Sequence, residues 1–383
     1  MKLAVAACLL SLAAGAAHAG APRARDLGIP FDGTPGPLNA ITDVAGVTVG
    51  HVTLIESDDP KHQVRTGVTA ILPRGRDSGR LPAFGASFAL NGNGEMTGTA
   101  WLEESGMLEG PVLLTNTHSV GVVRDAAIAW RVKAGQADAS GYWWSLPVVA
   151  ETWDGYLNDI NGFHVRPEHV FAALDGAHGG PVDEGNVGGG TGMICHEFKC
   201  GIGTSSRRVT VGSQAYTVGV LVQANYGVRD TLRIAGVPVG QQLREHRVWT
   251  DQALGGDTGS IIIVVATDAP LLPHQMKRIA KRAALGLARN GSYAGNGSGD
   301  LFVAFSTANA DAVRDQALNA ATFVGNDSID PLFLGTVEAT EEAIVNAMIA
   351  ARDMTGQGGH YAIAIPQDAL RALLRKHSRL ASR

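Results

Sequence analysis

Residues 255–270 read GGDTGSIIIVVATDAP. A glycine-rich polar segment ends at Gly259, an almost unbroken apolar run begins at Ile261, and the hydroxyl of Ser260 stands between them. The length and β-branched content of the run predict a strand over Ser260–Ala266, buried on both faces. Gly259 has no Cβ, so its carbonyl can be approached closely and its backbone can take conformations closed to other residues. Asp257 and Thr258 add polar groups beside the same bond, and a stiff strand after Ser260 would hold its hydroxyl in place.

A junction of this kind suits self-cleavage. The Ser260 hydroxyl would attack the Gly259 carbonyl and move the acyl group from nitrogen to oxygen, and water would then release a chain beginning at Ser260. That serine would carry both a hydroxyl and a free α-amine. Such an amine has a pKa of about 7.7–8.0 in simple peptides, so part of it is neutral near physiological pH and can act as base for its own hydroxyl. The nucleophile also needs an oxyanion donor and groups that handle protons. VLVQANYG (220–227) carries an apolar strand into Asn225, whose amide can donate. NGSGDLFVAF (296–305) places Ser298 and Asp300 just before another buried strand.

The rest of the chain reads as layered α/β. Further strands are expected at Gly46–His51, Val68–Leu72, Val112–Thr115, Tyr216–Gln223, Leu301–Ser306 and Tyr361–Ile365. A helix should start at Pro273, carry Met276, Ile279, Ala280, Ala283 and Leu287 on one face, and end near Asn290-Gly291. A second should span Thr340–Asp353 with Ile344, Val345, Met348 and Ile349 inward and Glu341 and Glu342 in an acidic first turn. Buried strands alternating with amphipathic helices make such a layered fold, and no internal domain boundary is visible.

Composition narrows the partners. The 383 residues hold 31 Lys and Arg against 36 Asp and Glu, a net charge of −5, with no basic run, which argues against nucleic acid. The opening MKLAVAACLLSLAAGAAHAG has the charge, apolar stretch and Ala17-His18-Ala19 pattern of an export leader cleaved after Ala19. Its apolar stretch is too short for a membrane span, and too few residues precede Cys8 for a normal lipid-attachment site. After leader removal the chain is expected outside the cytoplasm, periplasmic or secreted, with no membrane attachment. Two cysteines then remain, Cys195 and Cys200 in GMICHEFKCGIG, either a disulfide across a tight hairpin or two unpaired thiols. A metal site at Cys195, His196 and Cys200 lacks a second ligand pair at zinc-like spacing, so no metal or other cofactor is expected. The glycines of GNVGGGTGM (185–193) lack the Gly-Lys-Ser/Thr ending of a phosphate loop and read as structural turns or as backbone passing close to a ligand. Ser260 sits in no Gly-x-Ser-x-Gly elbow, which weighs against a conventional serine hydrolase with a histidine base.

GGDTGSIIIVVATDAP, GVLVQANYG and NGSGDLFVAFSTAN together resemble the D-aminopeptidase/β-peptidyl aminopeptidase family of self-processing N-terminal-serine hydrolases. VRTGVTAI (64–71), GNGEMTG (92–98), LTNTHSVG (114–121), VVAETWDGYLNDING (148–162), EGNVGGGTGM (184–193) and GIGTSSRRV (201–209) extend the match in order over nearly the whole mature chain. The resemblance implies a four-layer αββα sandwich, related to but distinct from the familiar N-terminal-nucleophile hydrolases. It implies one hydrolase domain over 20–383, cleaved at Gly259-Ser260 into chains 20–259 and 260–383, and a homotetramer of processed units without metal. Its activity would be removal of N-terminal residues from small peptides, amides or esters with a free amine, often with tolerance for D- or β-residues. Residue by residue it makes Ser260 the nucleophile, Asn225 the oxyanion donor, and Ser298 and Asp300 the pair that orients the nucleophile and its amine. Some relatives have Glu at the position of Asp300. Glu151, in AETWDG, matches the residue that receives the substrate ammonium, a task that a partly buried carboxylate can perform by a charge-assisted hydrogen bond. Trp153 reads either as a wall of the side-chain pocket or as a core residue. Two other readings remain beside this one. The fold and self-cleavage also occur with amino-acid acetyltransfer from an N-terminal threonine, and an exported binding protein would use the glycine loops as a ligand cradle.

Overall fold

The computed structural model describes residues 22–248, 259–313 and 317–381. The expected leader segment with Cys8, and Asp257 and Thr258 beside the candidate cleavage bond, lie outside the described residues. In chain order the elements that matter are β1 (Thr48–Glu56), β2 (Val64–Arg76), β3 (Ala83–Gly92), α1 (Thr99–Ser105), β4 (Met107–Leu108), β5 (Val112–Asn116), α2 (Val120–Lys133), β6 (Val148–Thr152) and α3 (Pro167–Asp175). They continue with β7 (Ile194–Cys195), β8 (Phe198–Lys199), β9 (Ile202–Val211), β10 (Gln214–Asn225), β11 (Ser260–Thr267), α4 (Pro273–Arg289), β12 (Gly299–Ser306) and α5 (Asp330–Ile349).

Two sheets form the centre. One has the order β1-β2-β5-β6 and the other β4-β3-β12-β11-β10-β9. Helices α4 and α5 cover the outer face of the larger sheet, and α2 and α3 cover the smaller one. Three apolar layers separate these four. Ile261, Ile263 and Val265 of β11 join the core under α4 and α5. Ile262, Val264 and Ala266 join the core between the sheets. A third core lies under α2 and α3. The unbroken apolar run therefore keeps a period of two, with an apolar environment waiting on each side. This is the αββα sandwich that the resemblance implies.

Helix α4 runs from Pro273 to Arg289 with Asn290 as its cap, as its periodicity predicts, and Met276, Ile279, Ala280, Ala283 and Leu287 are buried. Helix α5 corrects the sequence reading. It begins at Asp330, ten residues before Thr340, and stops at Ile349, so Glu341 and Glu342 lie in mid-helix. Its apolar residues surround it because it is sandwiched between β9, β10 and α4, and the one-face pattern used to place its start is absent. The expected strand Tyr361–Ile365 shrinks to Tyr361–Ala362, paired only with Met354–Thr355 outside both main sheets. Strands β3, β4, β6 and β9 fall outside the expected set.

Glu342 is fully buried because it closes an ionic cluster. Its carboxylate meets Arg207 of β9 at 2.7 Å and Arg25 of the N-terminal segment at 2.7 Å. Asn39 donates to it as well, at 2.6 Å. The cluster ties α5, β9 and residues 22–43 together, and removing its acid leaves the buried Arg207 guanidinium with Glu338 at 3.6 Å as its remaining carboxylate. Glu342→Ala should cost about 3–5 kcal/mol of stability in equilibrium urea denaturation; a loss below about 1 kcal/mol, as at an exposed ion pair, would contradict this account.

Candidate active site

Strand β11 starts at Ser260 and lies between β10 and β12. Ser260 pairs with Asn225 on its antiparallel side and with Gly299 on its parallel side. All three candidate segments therefore reach the same end of the larger sheet in one register. The Gly259 carbonyl accepts a hydrogen bond from Gly299 N–H at 3.0 Å.

Alternation decides which faces the side chains take. On β12, Phe302 and Ala304 join the helix-side core, while Leu301, Val303 and Phe305 join the core between the sheets. Ser260 and Asn225 share the parity of the residues facing the inter-sheet core, and so does Gly299. A Cβ on Gly299 would stand 3.0 Å from Ser260 Oγ and 2.4 Å from the Asn93 carbonyl, so only glycine leaves room for the hydroxyl there. Ser298 and Asp300 fall on the opposite parity. Both are buried, and Ser298 Oγ donates to Asp300 Oδ1 at 2.8 Å. Asp300, paired with Ile261, and Ser298 bonded to it thus lie beside the start of β11 on the other face of the sheet from the Ser260 hydroxyl.

The Asn225 amide is held at both poles. Its Oδ1 accepts from Ile194 N–H at 2.9 Å, and its Nδ2 donates one hydrogen to the Trp153 carbonyl at 2.8 Å. The second Nδ2 hydrogen has no acceptor among the described contacts.

Glu151 lies near the end of β6 and is buried. Its Oε1 accepts from Glu95 N–H at 2.9 Å, and Thr117 Oγ1 donates to its Oε2. Burial pushes its carboxyl above the ordinary range; hydrogen bonds from Thr117 and Glu95 N–H and the nearby His118 act against the rise, and the Glu95 carboxylate adds to it. Gly94 joins this carboxylate to the serine. A Cβ there would sit 3.2 Å from Glu151 Oε1 and 3.3 Å from Gly299 Cα. The carboxylate and Ser260 thus stand on either side of one glycine-lined gap. Trp153 is 43% exposed, so it is not a core residue. The next residue, Asp154, is buried, and burial lifts its carboxyl to about 7 against hydrogen bonds from Thr66 and Asn158.

Several supporting residues escaped the sequence reading. Asn91 Nδ2 donates to the carbonyls of Gly295, Asn296 and Ser298, and Asn93 Nδ2 donates to Gly297 O at 2.7 Å. The Asn-Gly-Asn-Gly stretch 91–94 therefore clamps the loop that delivers Ser298 and Gly299. Two asparagines alternating with glycines were the available signal, but they read equally well as a turn. Glu95 and Thr117, which set the position of Glu151, carried no signal of their own.

The CHEFKC stretch is a hairpin of β7 and β8 closed by a Cys195–Cys200 disulfide. This decides between the two cysteine readings. Among the described residues, no three His, Cys, Asp or Glu side chains gather as a metal site. The glycines 188–190 form a short turn packed on β1 and β2, in keeping with a structural reading.

Comparison with known proteins gives a consistent picture. Residues 39–362 match peptidase family S58. The chain is 52% identical to the β-peptidyl aminopeptidase BapA of Sphingosinicella microcystinivorans, over 97% of this chain and 96% of the relative. Among solved structures it resembles the L-aminopeptidase D-Ala-esterase/amidase of Ochrobactrum anthropi, described as a prototype for the serine aminopeptidases and a new variant of the Ntn hydrolase fold. The TM-score is 0.89 and the identity 50%, covering 94% of this chain and 100% of that one. A Burkholderia sp. β-aminopeptidase follows with a TM-score of 0.85 and 49% identity, covering 93% and 99%.

The buried acid of the site has a thermodynamic consequence. Because the Glu151 carboxyl is raised in the folded chain, the folded state holds its proton more tightly than the unfolded state. Its stabilising contribution is complete below the ordinary carboxyl range and is lost as pH rises through the raised value. Glu151→Gln should therefore melt at a higher temperature than the parent at pH 7, with the difference vanishing near about pH 4. Equal melting temperatures at both pH values would contradict the burial argument.

Proposed function

The chain belongs to peptidase family S58 and is a serine-type aminopeptidase, and from that premise we propose that it activates itself by cleaving Gly259-Ser260 and then uses Ser260 as an N-terminal nucleophile. The observation that carries this reading is the Gly299 N–H bonded to the Gly259 carbonyl beside the Ser260 hydroxyl. In the first step Ser260 Oγ bonds to the Gly259 carbonyl carbon and gives up its proton. The developing oxyanion is the oxygen that already accepts from Gly299 N–H, which places a donor where charge appears. The C–N bond then breaks, the Ser260 nitrogen takes a proton, and an ester remains on Oγ. Water hydrolyses that ester and leaves chains 20–259 and 260–383.

Turnover repeats the chemistry on a substrate. The free Ser260 amine takes the Oγ proton as Oγ attacks the substrate carbonyl. Asn225 donates its remaining Nδ2 hydrogen to the oxyanion, and the leaving amine departs with the proton. Water then releases the acyl group. Ser298 and Asp300 hold the Ser260 amine from the far face of the sheet. Glu151 receives the substrate ammonium across the gap lined by Gly94, where burial strengthens a charge-assisted bond. The partly exposed Trp153 borders the substrate side chain.

The finer assignments have their own support. Identity of 52% to a β-peptidyl aminopeptidase supports acceptance of β-residues. The leader pattern of residues 1–19 supports export, and the likeness to the family supports assembly as a tetramer of processed units. The aminopeptidase activity displaces the binding-protein and acyltransferase readings. Kinetics on matched amides test the roles. Ser260→Ala should give one uncleaved chain without activity. Glu151→Ala should raise KM for β-alanine or alanine amides by about 10²-fold, the scale of a lost charge-assisted bond. N-acetylation of the substrate should abolish turnover in the parent. Unchanged KM in Glu151→Ala, or ready hydrolysis of the acetylated amide, would overturn the ammonium assignment.

A further inference from the structure

The hairpin of β7 and β8 takes no part in the chemistry above, yet it touches the oxyanion residue. Its turn residues His196 and Glu197 have φ of 47° and 63°, the left-handed pair that a two-residue hairpin turn requires. Cys195 faces Phe198 next to the turn, and Ile194 faces Lys199 one step further out. In an antiparallel ladder the second pair turns its N–H groups away from each other. Lys199 N–H accordingly reaches outward to the Ile363 carbonyl at 2.6 Å. Ile194 N–H reaches outward to Asn225 Oδ1 at 2.9 Å.

This contact fixes which pole of the Asn225 amide faces which way. A flipped amide would set its NH₂ group against Ile194 N–H, donor to donor, and against no acceptor. With Oδ1 held by Ile194 and one Nδ2 hydrogen held by Trp153, the remaining hydrogen has a single direction. The hairpin in turn is braced well beyond the needs of a surface loop. The disulfide joins Cys195 to Cys200. Lys199 is buried, with no carboxylate partner among the described residues, and donates from Nζ to the carbonyls of Met193 at 2.8 Å and Cys200 at 2.6 Å, closing the open end of the hairpin. Arg229 donates to the carbonyls of His196 at 2.8 Å and Glu197 at 2.7 Å, and its guanidinium lies 3.4 Å from the Phe198 ring centroid. His196 N–H bonds to the Tyr226 carbonyl at 2.7 Å, one residue past Asn225.

We propose that the disulfide-closed hairpin 193–200 is a positioning element of the reaction: through Ile194 N–H it keeps the Asn225 amide nitrogen toward the oxyanion, and the Cys195–Cys200 bond and Lys199 keep Ile194 in place. The inference rests on Asn225 being the oxyanion donor. It assigns a role to the CHEFKC stretch and to a buried lysine for which the catalytic residues give none. Loosening the hairpin lets the amide tilt or flip, which weakens transition-state binding and leaves ground-state binding alone.

The test compares the full-length parent with Cys195→Ala/Cys200→Ala and, separately, Lys199→Met, each checked for cleavage at Ser260 by mass. The readouts are kcat and KM on alanine amide and inhibition by 1-aminoethylboronic acid, whose tetrahedral adduct on Ser260 presents an oxygen to Asn225. Outright loss of an oxyanion donor costs about 10²–10³ in kcat, so a misdirected one should cost about tenfold, with boronate inhibition weakened in parallel and KM within about twofold. Values of kcat and boronate inhibition within about twofold of the parent would overturn the proposal, as would a rise in KM alone. If the cysteine pair variant does not fold, Lys199→Met carries the same comparison with the disulfide intact. Asn225→Ala separates the two levels. A slow Asn225→Ala beside fast hairpin variants overturns this inference only, whereas a processed Asn225→Ala of parental speed overturns the oxyanion assignment beneath it.

Discussion

Pairing along both edges of β11 is the constraint from which the site follows. Ser260 stands opposite Asn225 on one side and Gly299 on the other. The side-chain period of a strand is two, so a slip of one residue on either side would send Ser260 or its partners to the wrong face. Register is secured far from the chemistry, by the apolar residues of β10, β11 and β12 that fill both cores. A slip of β10 would turn the buried Gln223 away from Thr115 and Thr152 and into the apolar core under α4 and α5, and it would unseat the packing against those helices and against the smaller sheet. The energetics of the core and the geometry of the site are therefore one requirement.

The site itself stands at the ends of these strands, where the fold carries costs that the core offsets. Glu151 is held as a buried acid whose charged form is disfavoured by its surroundings. Glycines at 94 and 299 give up side-chain packing so that two functional groups can face each other across a narrow gap. Asn91 and Asn93 spend their amides on the carbonyls of the loop that delivers Ser298. Such features weaken a fold locally and persist where geometry matters more than stability.

Much of this was legible in the sequence because it follows from apolar patterning and local chemistry. The run after Ser260 announced its strand, and α4 showed both its face and its ends. Other elements hid for identifiable reasons. Strand β9 contains Ser205, Ser206 and Arg207, which look like surface residues and are buried by the ionic cluster around Glu342. Strand β3 turns outward from Ser87 and leaves its bulge at Leu90, so its apolar pattern stops halfway. Helix α5 is buried nearly all round and offers no polar face from which to find its start. Around the site, Ser260, Asn225, Ser298 and Asp300 could be named from strand ends, with their roles drawn from the family resemblance. The role of Glu151 needed that resemblance altogether, because a carboxylate before a tryptophan is ordinarily a solvated acid. The asparagine clamp and the bond from Ile194 to Asn225 depend on contacts between segments distant in sequence, which no local pattern encodes.

The central claim is that folding delivers Ser260 as a new N-terminus. Denaturing mass spectrometry of the purified protein, with N-terminal sequencing of each species, tests it most directly. The account predicts two chains in equal amount, the smaller beginning Ser260-Ile261-Ile262 and running to Arg383. A single intact chain spanning Gly259-Ser260 in folded, catalytically active protein would contradict it.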